Sequence, residues 1–217
     1  MEHRTAKLHL ETSKLMGVDF IPIGVTHSNQ DKQTLLEELY VDHDESCPHC
    51  TNATGHTNTV FGTGNPDSSL MFIGEAPGME EDQQGIPFVG AAGKKLDQII
   101  EAMGLCRADV YIANTLKSRP PDNRTPTPDE VAACGPFLKS QIEIIAPSVI
   151  VTLGSPASKY ILETTTGITK LRGTWGTYNG IPVMPTYHPA YLLRNYTTET
   201  RSQVWSDMKQ VIENLSL

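Results

Sequence analysis

The stretch SLMFIGEAPG, residues 69–78, decides the fold. Its run LMFIG, residues 70–74, is apolar without alternation and ends at a glycine, which is typical of a strand buried on both faces of a parallel sheet. The following segment AAGKKLDQIIEAMG, residues 91–104, has apolar side chains at helical spacing and a glycine at its end. Together they predict a strand that leads into a helix.

The same alternation of strands and helices continues to the end of the chain. It predicts an α/β fold, a three-layer α/β/α sandwich with a central, mostly parallel four-stranded sheet. The further segments are strand VYIAN (110–114), a helix from Thr127-Pro128 to about Ile145, strand SVIVTLG (148–154), a helix from Ser155 to Leu162, a hairpin around Asn179-Gly180 with the arm IPVMPTYH, and the final helix RSQVWSDMKQVIENL.

Length and composition are those of one globular domain. The chain has 217 residues, of which 38% are hydrophobic and 19% charged, and no apolar run approaches the roughly 18 residues of a membrane span. We expect a polar, partly helical extension over residues 1–44 and one domain over residues 45–217. The expected protein is a cytoplasmic monomer without membrane contact, and in that compartment its four cysteines favour metal binding or thiols over disulfides.

The net charge of −8 argues weakly against a nucleic-acid partner, because phosphate binding is normally driven by lysine and arginine. Positive charge is nevertheless concentrated locally, in KSRPPDNR and in TKLR. A basic face on an acidic protein therefore remains compatible with binding to DNA.

Three polar side chains follow strand ends. Glu75, Asn114 and His188 lie in the loops GEAPGMEED, NTLKSRPPDNR and HPAYLLR. Loops after the carboxyl ends of parallel strands share one edge of the sheet, so these side chains are expected together. With Phe88 of the segment PFVG and the arginine-bearing loop nearby, they predict a small pocket that suits one flipped base.

Several long motifs occur in a characteristic order. GEAPGMEEDQQGIPFVGAAGKKLDQIIEAMGL, YIANTLKSRPPDNRTPTPDEVAAC, IVTLG and GIPVMPTYHPAYLLRN closely resemble the family 4 uracil-DNA glycosylases, a bacterial and archaeal group with an iron–sulfur cluster. The likeness runs from about Cys47 to the C-terminus. It implies a base-excision-repair hydrolase that flips uracil out of DNA and cleaves its N-glycosidic bond, leaving an abasic site.

The resemblance also implies roles for individual residues. Asn114 would pair with the O4 and N3–H edge of uracil, Phe88 would stack on its ring, and His188 would donate to O2. A donor fixed at O2 stabilises the departing uracil anion more than the ground state. Gly74 would line the same substrate site.

The loop after the first strand departs from relatives that read G-Q-D-P-Y. Ala76 stands where their aspartate positions the attacking water, and Gly78 stands where their tyrosine excludes the methyl group of thymine. We expect a loose, oxocarbenium-like dissociation with the water held by backbone groups or by Glu75 or Glu81. Glu81 is equally well explained as charge compensation at a helix N-terminus.

Residues on two loops are candidates for DNA contact. Arg119 and Arg124 of the proline-rich loop, and Arg194 of HPAYLLRN, would contact phosphates. Leu192, Leu193 or Arg194 itself would enter the gap that the flipped base leaves, unless both leucines pack in the core.

In the family, four cysteines hold the cluster, and three are matched here by Cys47, Cys50 and Cys134. The fourth position is Ser118, whose hydroxyl has a very high pKa, whereas iron–sulfur clusters select thiolates. Four possibilities follow: Ser118 binds as an alkoxide, a three-iron cluster forms on three cysteines, Cys106 replaces it, or the cluster is absent. A structural [4Fe-4S] cluster is the expected group.

Other interpretations remain open from the residues alone. His49 and His56 would complete a zinc site with the cysteines. A uracil-DNA or damaged-DNA binding protein without turnover is the alternative function. A covalent uracil trap is disfavoured because NTLKSRPPDNRTP carries no histidine, and a zinc-bound α/β module of unrelated function is the last possibility.

Overall fold

The computed structural model describes residues 31–47, 50 and 55–216. Nothing in this part of the chain forms a helix with the length and apolarity that crossing a membrane requires. Its helices are α1 (Lys32–Ser46), α2 (Met79–Gln84), α3 (Ala91–Ala102), α4 (Pro128–Ile145), α5 (Ser155–Ile161), α6 (Ile168–Leu171), α7 (Pro189–Arg194) and α8 (Thr198–Leu215).

A single sheet of six strands lies at the centre of the described chain. In chain order the strands are β1 (Thr63–Gly64), β2 (Leu70–Gly74), β3 (Tyr111–Asn114), β4 (Val149–Leu153), β5 (Gly176–Tyr178) and β6 (Ile181–Thr186). Their spatial order is β1-β3-β2-β4-β6-β5. The four inner strands are parallel, as predicted, and the antiparallel edge strands β1 and β5 correct the expected strand number from four to six.

Side chains of β2 alternate between two cores, which makes the fold three-layered. Leu70 and Phe72 join a core formed with α3, α7 and α8, whereas Met71 and Ile73 join a core formed with α1, α4 and α5. Both faces of the strand are buried. This burial explains why LMFIG has no polar alternation.

Cap and turn residues mark the start of helix α4 and the turn between β5 and β6 at the positions that the sequence predicts. Thr127 accepts from the N–H of Glu130, and the Glu130 carboxylate accepts from the N–H of Thr127, so a capping box begins α4. Asn179 and Gly180 both have positive φ, 48° and 85°, which gives the tight turn between β5 and β6.

Helix α1 packs against α4 on one side of the sheet. Leu36 is buried in the shared core, and Lys32 Nζ donates to the carbonyl of Ile145 at 2.7 Å. The expected boundary between residues 44 and 45 falls inside this helix. The division of the chain into an extension and a domain stays a prediction, and residues 1–30 of that extension lie outside the described residues.

Candidate active site and metal centre

The carboxyl ends of the parallel strands surround a cavity of about 510 Å³, here called the strand-end cavity. Residues 75–78 follow β2, Asn114 ends β3, Gly154 follows β4, and His188 follows β6. The complete lining is Glu75, Ala76, Pro77, Gly78, Glu81, Phe88, Ala92, Asn114, Pro120, Asn123, Arg124, Thr125, Gly154, Ser155, Pro156, His188, Ala190 and Arg194. The structure thus brings together the polar residues that the sequence expects at this edge.

Asn114 is buried at the end of β3 and keeps a hydrogen-bond acceptor available. Its side chain is 1% exposed, and its Oδ1 has no hydrogen-bond partner among the described residues. Its backbone carbonyl accepts from Lys117 Nζ at 2.8 Å. A buried acceptor without a partner costs about 1–3 kcal/mol, so it indicates a ligand that donates at this point.

Gly74 is the last residue of β2 and lies against both Asn114 and Phe88. A Cβ atom there would lie 2.3 Å from Asn114 Oδ1 and 2.5 Å from Phe88 Cζ. Any side chain at this position would therefore displace the amide, the ring or both. Gly74 therefore affects the shape of the cavity through Asn114 and Phe88, although it is not among the residues that line it.

Phe88 has an unusual backbone conformation that its surroundings enforce. Its φ is 53°, in the left-handed region that a bulky residue seldom adopts. Arg107 donates to the carbonyls of Pro87 and Phe88, the latter at 3.0 Å. Gly93 allows α3 to approach, because a Cβ there would lie 1.9 Å from the Phe88 carbonyl oxygen. The ring lies 5.7 Å from the His188 ring, centroid to centroid.

His188 presents a neutral imidazole to the cavity. Its Nδ1 accepts from the N–H of Ala190 at 3.1 Å at the start of α7, so the ring proton resides on Nε2. Burial, with a smaller contribution from Arg194, lowers the pKa of His188 to about 4. At neutral pH the residue therefore offers an uncharged N–H donor.

The two glutamates of the site differ in their surroundings. Burial raises the pKa of Glu75, whose half-buried side chain lines the cavity. Glu81 also lines the cavity, but its carboxylate accepts from the backbone N–H groups of Gly78, Val89 and Gly90 at 2.8–3.1 Å. Glu81 thus fixes the loop that carries Phe88, which favours a positioning role over contact with water.

Arginines surround the mouth of the cavity. Arg124 and Arg194 line it, and Arg124 forms a two-bond ion pair with Glu130 at 2.7 and 2.8 Å. Arg119 lies outside the lining, and its Nε donates to Asn123 Oδ1 at 2.7 Å. Of the three cations in the loop NTLKSRPPDNR, Arg124 lines the cavity, whereas Lys117 and Arg119 do not.

The two leucines of α7 point into different environments. Leu192 is 3% exposed and packs in the core with α3 and α8, whereas Leu193 is 43% exposed. A side chain buried in the core is not available to enter DNA. We correct the prediction for Leu192 accordingly, and Leu193 is the leucine that the helix presents to solvent.

A second polar centre lies behind the strand-end cavity and contains the thiol cluster, defined as Cys47, Cys50 and Cys134. The Sγ atoms of Cys47 and Cys50 each lie 3.6 Å from that of Cys134. All three residues are buried, and Leu116 packs against them. The structure therefore brings together the three cysteines that the sequence proposes as metal ligands.

His43 is the fourth potential ligand at the thiol cluster. One nitrogen of its ring lies within 4.8 Å of the three cysteine sulfurs, and the residue is fully buried. Ser118 is also fully buried, with its Oγ 3.4 Å from Cys50 Sγ. Both residues thus lie beside the sulfurs.

The other expected fourth ligands do not reach this cluster. Cys106 is exposed, and neither it nor His56 belongs to the metal-ligand group that the described residues form. His49 lies outside the described residues. The alternatives built on Cys106 and His56 are therefore not supported.

The linking segment, residues 114–118, joins the strand-end cavity to the thiol cluster. It begins at Asn114 and ends at Ser118, with the fully buried Lys117 between them. Lys117 Nζ also contacts Gln141 Oε1 at 2.5 Å, and Gln141 Nε2 donates to the carbonyl of Phe61 at 3.0 Å. Burial lowers the pKa of Lys117 to about 7.

Three of these residues are not singled out by the sequence. Lys117 and Gln141 look like ordinary surface residues, and Arg107 has no motif around it. His43 carries a usable signal, because it precedes Cys47 by four residues and a helix places such residues on one face.

Comparison with known proteins agrees with this geometry. The family model described as the uracil DNA glycosylase superfamily matches residues 61–209. The type-4 uracil-DNA glycosylase of Thermotoga maritima is 47% identical over 179 residues, covering 81% of this chain and 92% of the relative. Similar matches join the chain to type-4 uracil-DNA glycosylases of Sulfurisphaera tokodaii, at 47% identity over 77% of this chain and 80% of the relative, and Archaeoglobus fulgidus, at 45% over 77% and 87%.

Proposed function

The chain belongs to the uracil-DNA glycosylase superfamily, and on that premise we propose how its residues remove uracil from DNA. Its function is that of a uracil-DNA glycosylase, a repair hydrolase that cleaves the N-glycosidic bond of deoxyuridine and leaves an abasic site. The base enters the strand-end cavity as a flipped nucleotide.

The observation that carries the assignment of residues is the unpartnered Oδ1 of Asn114. Uracil has a proton on N3, which this oxygen accepts, while the amide nitrogen of Asn114 donates to O4. Cytosine has no proton on N3 and an amino group at C4, so it mispairs with the same amide. In this orientation the amide selects uracil over cytosine.

His188 supplies the donor on the opposite edge of the base. Breaking the glycosidic bond leaves negative charge on the uracil, part of it on O2. The Nε2–H of neutral His188 is fixed by the hydrogen bond at Nδ1 and donates to that oxygen as the charge develops. Phe88 stacks on the base and restricts its orientation.

Glu75 is proposed to act on the sugar side of the reaction. Its carboxylate lies at the end of β2 next to Ala76, which has no group that orients water. A negative charge there stabilises the oxocarbenium-like sugar and orients the water that attacks it. Gly74, Ala76 and Gly78 contribute by leaving room for the nucleotide.

DNA contact involves the arginines at the mouth of the cavity. Arg124 and Arg194 bind phosphates flanking the flipped nucleotide, and Arg119 extends this surface along the loop. Leu193, exposed on α7, enters the space that the base leaves. The proposed enzyme acts as a monomer in the cytoplasm, the compartment in which cysteines typically bind metals or stay reduced.

Cys47, Cys50 and Cys134 are proposed to hold an iron–sulfur cluster. Three buried cysteines brought together in one place supply the soft thiolate donors that such a cluster selects. When bound, the cluster supplies a cross-link between the end of α1 and α4, behind the linking segment. Hydrolysis of a glycosidic bond transfers no electrons, so the proposed role is structural.

The test is release of uracil from an oligonucleotide with one deoxyuridine, measured as strand cleavage after alkali. Asn114→Leu keeps the branched shape of the side chain but removes the acceptor, and we expect uracil release to fall about 10²–10³-fold. Because Oδ1 has no partner to lose among the described residues, the variant should unfold at the wild-type temperature or higher.

Gln98→Leu, a polar-to-apolar change on α3 away from the strand-end cavity, is the matched control. Wild-type protein that binds the oligonucleotide without releasing base would identify a binding protein instead of an enzyme. Asn114→Leu with undiminished release would remove Asn114 from base recognition.

A further inference from the structure

We propose that His43 is the fourth ligand of the metal centre, bound through Nε2, in place of a ligand at position 118. The inference rests on the proposed cluster and adds the residue that completes it. It makes the donor set three thiolates and one imidazole, all contributed by the described chain.

The first support for this inference is the environment of the His43 ring. The ring is fully buried, and Nε2 has no hydrogen-bond partner among the described residues. The edge of the ring contacts Phe137, with the ring centroids 4.8 Å apart, and Phe61 lies 5.6 Å away. A nitrogen lone pair that is buried between aromatic rings and thiols lowers the stability of the fold unless a metal ion binds it.

Asp44 orients the imidazole for that purpose. His43 Nδ1 lies 3.1 Å from Asp44 Oδ1, so Nδ1 donates its proton to the carboxylate and the lone pair remains on Nε2. Metal-binding histidines characteristically donate their second ring nitrogen to a carboxylate, which fixes the tautomer and increases the basicity of the ligand.

The helix supplies the required spacing. His43 is four residues before Cys47, the residue that caps α1, and the N–H of Cys47 donates to the carbonyl of His43 at 2.9 Å. One helical turn therefore carries both side chains to the same face. The segment H-x-x-x-C-x-x-C thus delivers three donors from one short stretch, and Cys134 of α4 adds the other.

Ser118 has a different part in this arrangement. Its Oγ is 3.4 Å from Cys50 Sγ, a hydrogen-bonding distance to sulfur. A neutral hydroxyl does not compete with an imidazole for soft iron, because it would first have to lose a proton of very high pKa. We assign Ser118 as a hydrogen-bonding neighbour of the ligand Cys50.

The experiment uses the full chain purified without oxygen, with nitrogen-15 incorporated only in histidine. The cluster is reduced with dithionite, and electron–nuclear double resonance measures hyperfine coupling to nitrogen. Wild type and Ser118→Ala should show a strongly coupled histidine nitrogen, and His43→Ala should lose it. His56→Ala is the control, because His56 also has a buried unpartnered nitrogen but lies outside the metal-ligand group.

Iron retention against a chelator provides a second measurement. We expect His43→Ala to lose iron at least about 10-fold faster than wild type and Asp44→Asn to lose it about 10-fold faster. Ser118→Ala should stay within about twofold. The double variant His43→Ala/Ser118→Cys should regain retention, since it restores a fourth thiolate beside Cys50.

The outcomes separate this inference from the proposed cluster. Iron of about four per chain without histidine coupling in wild type would overturn His43 and leave the cluster intact. A single zinc ion in place of iron would overturn the cluster. X-ray absorption would then identify the zinc ligands: three sulfurs and one nitrogen would support His43 as a ligand, and any other ligand set would overturn it. A chain that binds neither metal overturns both.

Discussion

Two buried polar atoms have no hydrogen-bond partner within the described part of the chain: Asn114 Oδ1 in the strand-end cavity and His43 Nε2 beside the thiol cluster. They differ in what holds them. Asn114 is fixed by a strand paired within the sheet, and Lys117 fixes its carbonyl. His43 is fixed by one helix, which packs on α4 from outside the sheet.

This difference indicates how the two centres depend on the rest of the fold. The cavity is assembled by the sheet, so its geometry exists as soon as the parallel strands pair. The metal centre joins segments that are not paired by strands, so its ligands depend on the metal to stay together. We therefore expect changes in the cavity to affect catalysis and changes at the thiol cluster to affect stability.

The largest effect should come from Gly74→Ala. Its new Cβ would lie 2.3 Å from Asn114 Oδ1, so uracil release should fall about 10³-fold while iron content remains that of wild type. Uracil release and iron are measured on the same sample. Gly167→Ala is the control, because no atom of the described residues lies within 4 Å of the Cβ it would add. Loss of iron in Gly74→Ala would show that the two centres are not separate.

Removal of the metal should reduce stability more than it reduces uracil release. Loss of a cross-link between α1 and α4 should destabilise the chain by about 2–4 kcal/mol, as a covalent cross-link does, and lower the unfolding temperature by about 5–15 °C. Uracil release at 20 °C should fall less than about 10-fold. Calorimetry and the alkali assay measure the two quantities. A metal-free chain that unfolds at the wild-type temperature would contradict a structural role.

Lys117→Met tests the segment that joins the two centres. The variant leaves the carbonyl of Asn114 and Oε1 of Gln141 without their buried donor, which costs about 1–3 kcal/mol of stability. Because Lys117 lies between Asn114 and Ser118, uracil release and iron retention should both decrease, each by about 10-fold. Lys94→Met, on an exposed position of α3, is the control. A decrease in one quantity alone would mean that Lys117 serves a single centre.

The smallest expected effect is the pH dependence that His188 introduces. Its pKa is about 4 in the folded chain and 6.5 as a free side chain, so the unfolded state takes up a proton first as the pH falls. Wild type should therefore lose about 1–3 kcal/mol of stability between pH 6.5 and pH 4, relative to His188→Gln, and nothing above that window. Urea unfolding at several pH values measures this difference. A constant difference across the window would mean that His188 has the same pKa in the folded and the unfolded chain.

The central strands and the cavity could be predicted because buried parallel strands have a clear pattern. The run LMFIG coincides with β2, and the loops after strands converge whatever their separation in sequence. The edge strands β1 and β5 are two and three residues long, too short to carry a periodic pattern. Leu192 and Leu193 are adjacent residues of the same type, so the sequence does not indicate that Leu192 is buried and Leu193 exposed.

The metal centre was only partly predictable. The cysteines are recognisable by their spacing. His43 stands one helical turn before Cys47, but the polar, acidic sequence around it gives no sign that this helix packs on α4. Lys117 is a similar case, because a lysine in a proline-rich loop is usually exposed. Its burial follows from Gln141 on α4, which is 24 residues away and carries no motif.

The wide separation of the cysteines along the chain has a consequence for biosynthesis. Cys134 follows Cys50 by 84 residues and Cys47 by 87. At about 5–20 residues per second, a ribosome needs about 4–17 s to synthesise the residues between these cysteines. Strands β2 and β3 are synthesised during that time. Assembly of the metal centre is therefore a late event, and the nascent chain carries its first two cysteines for seconds before the third can join them.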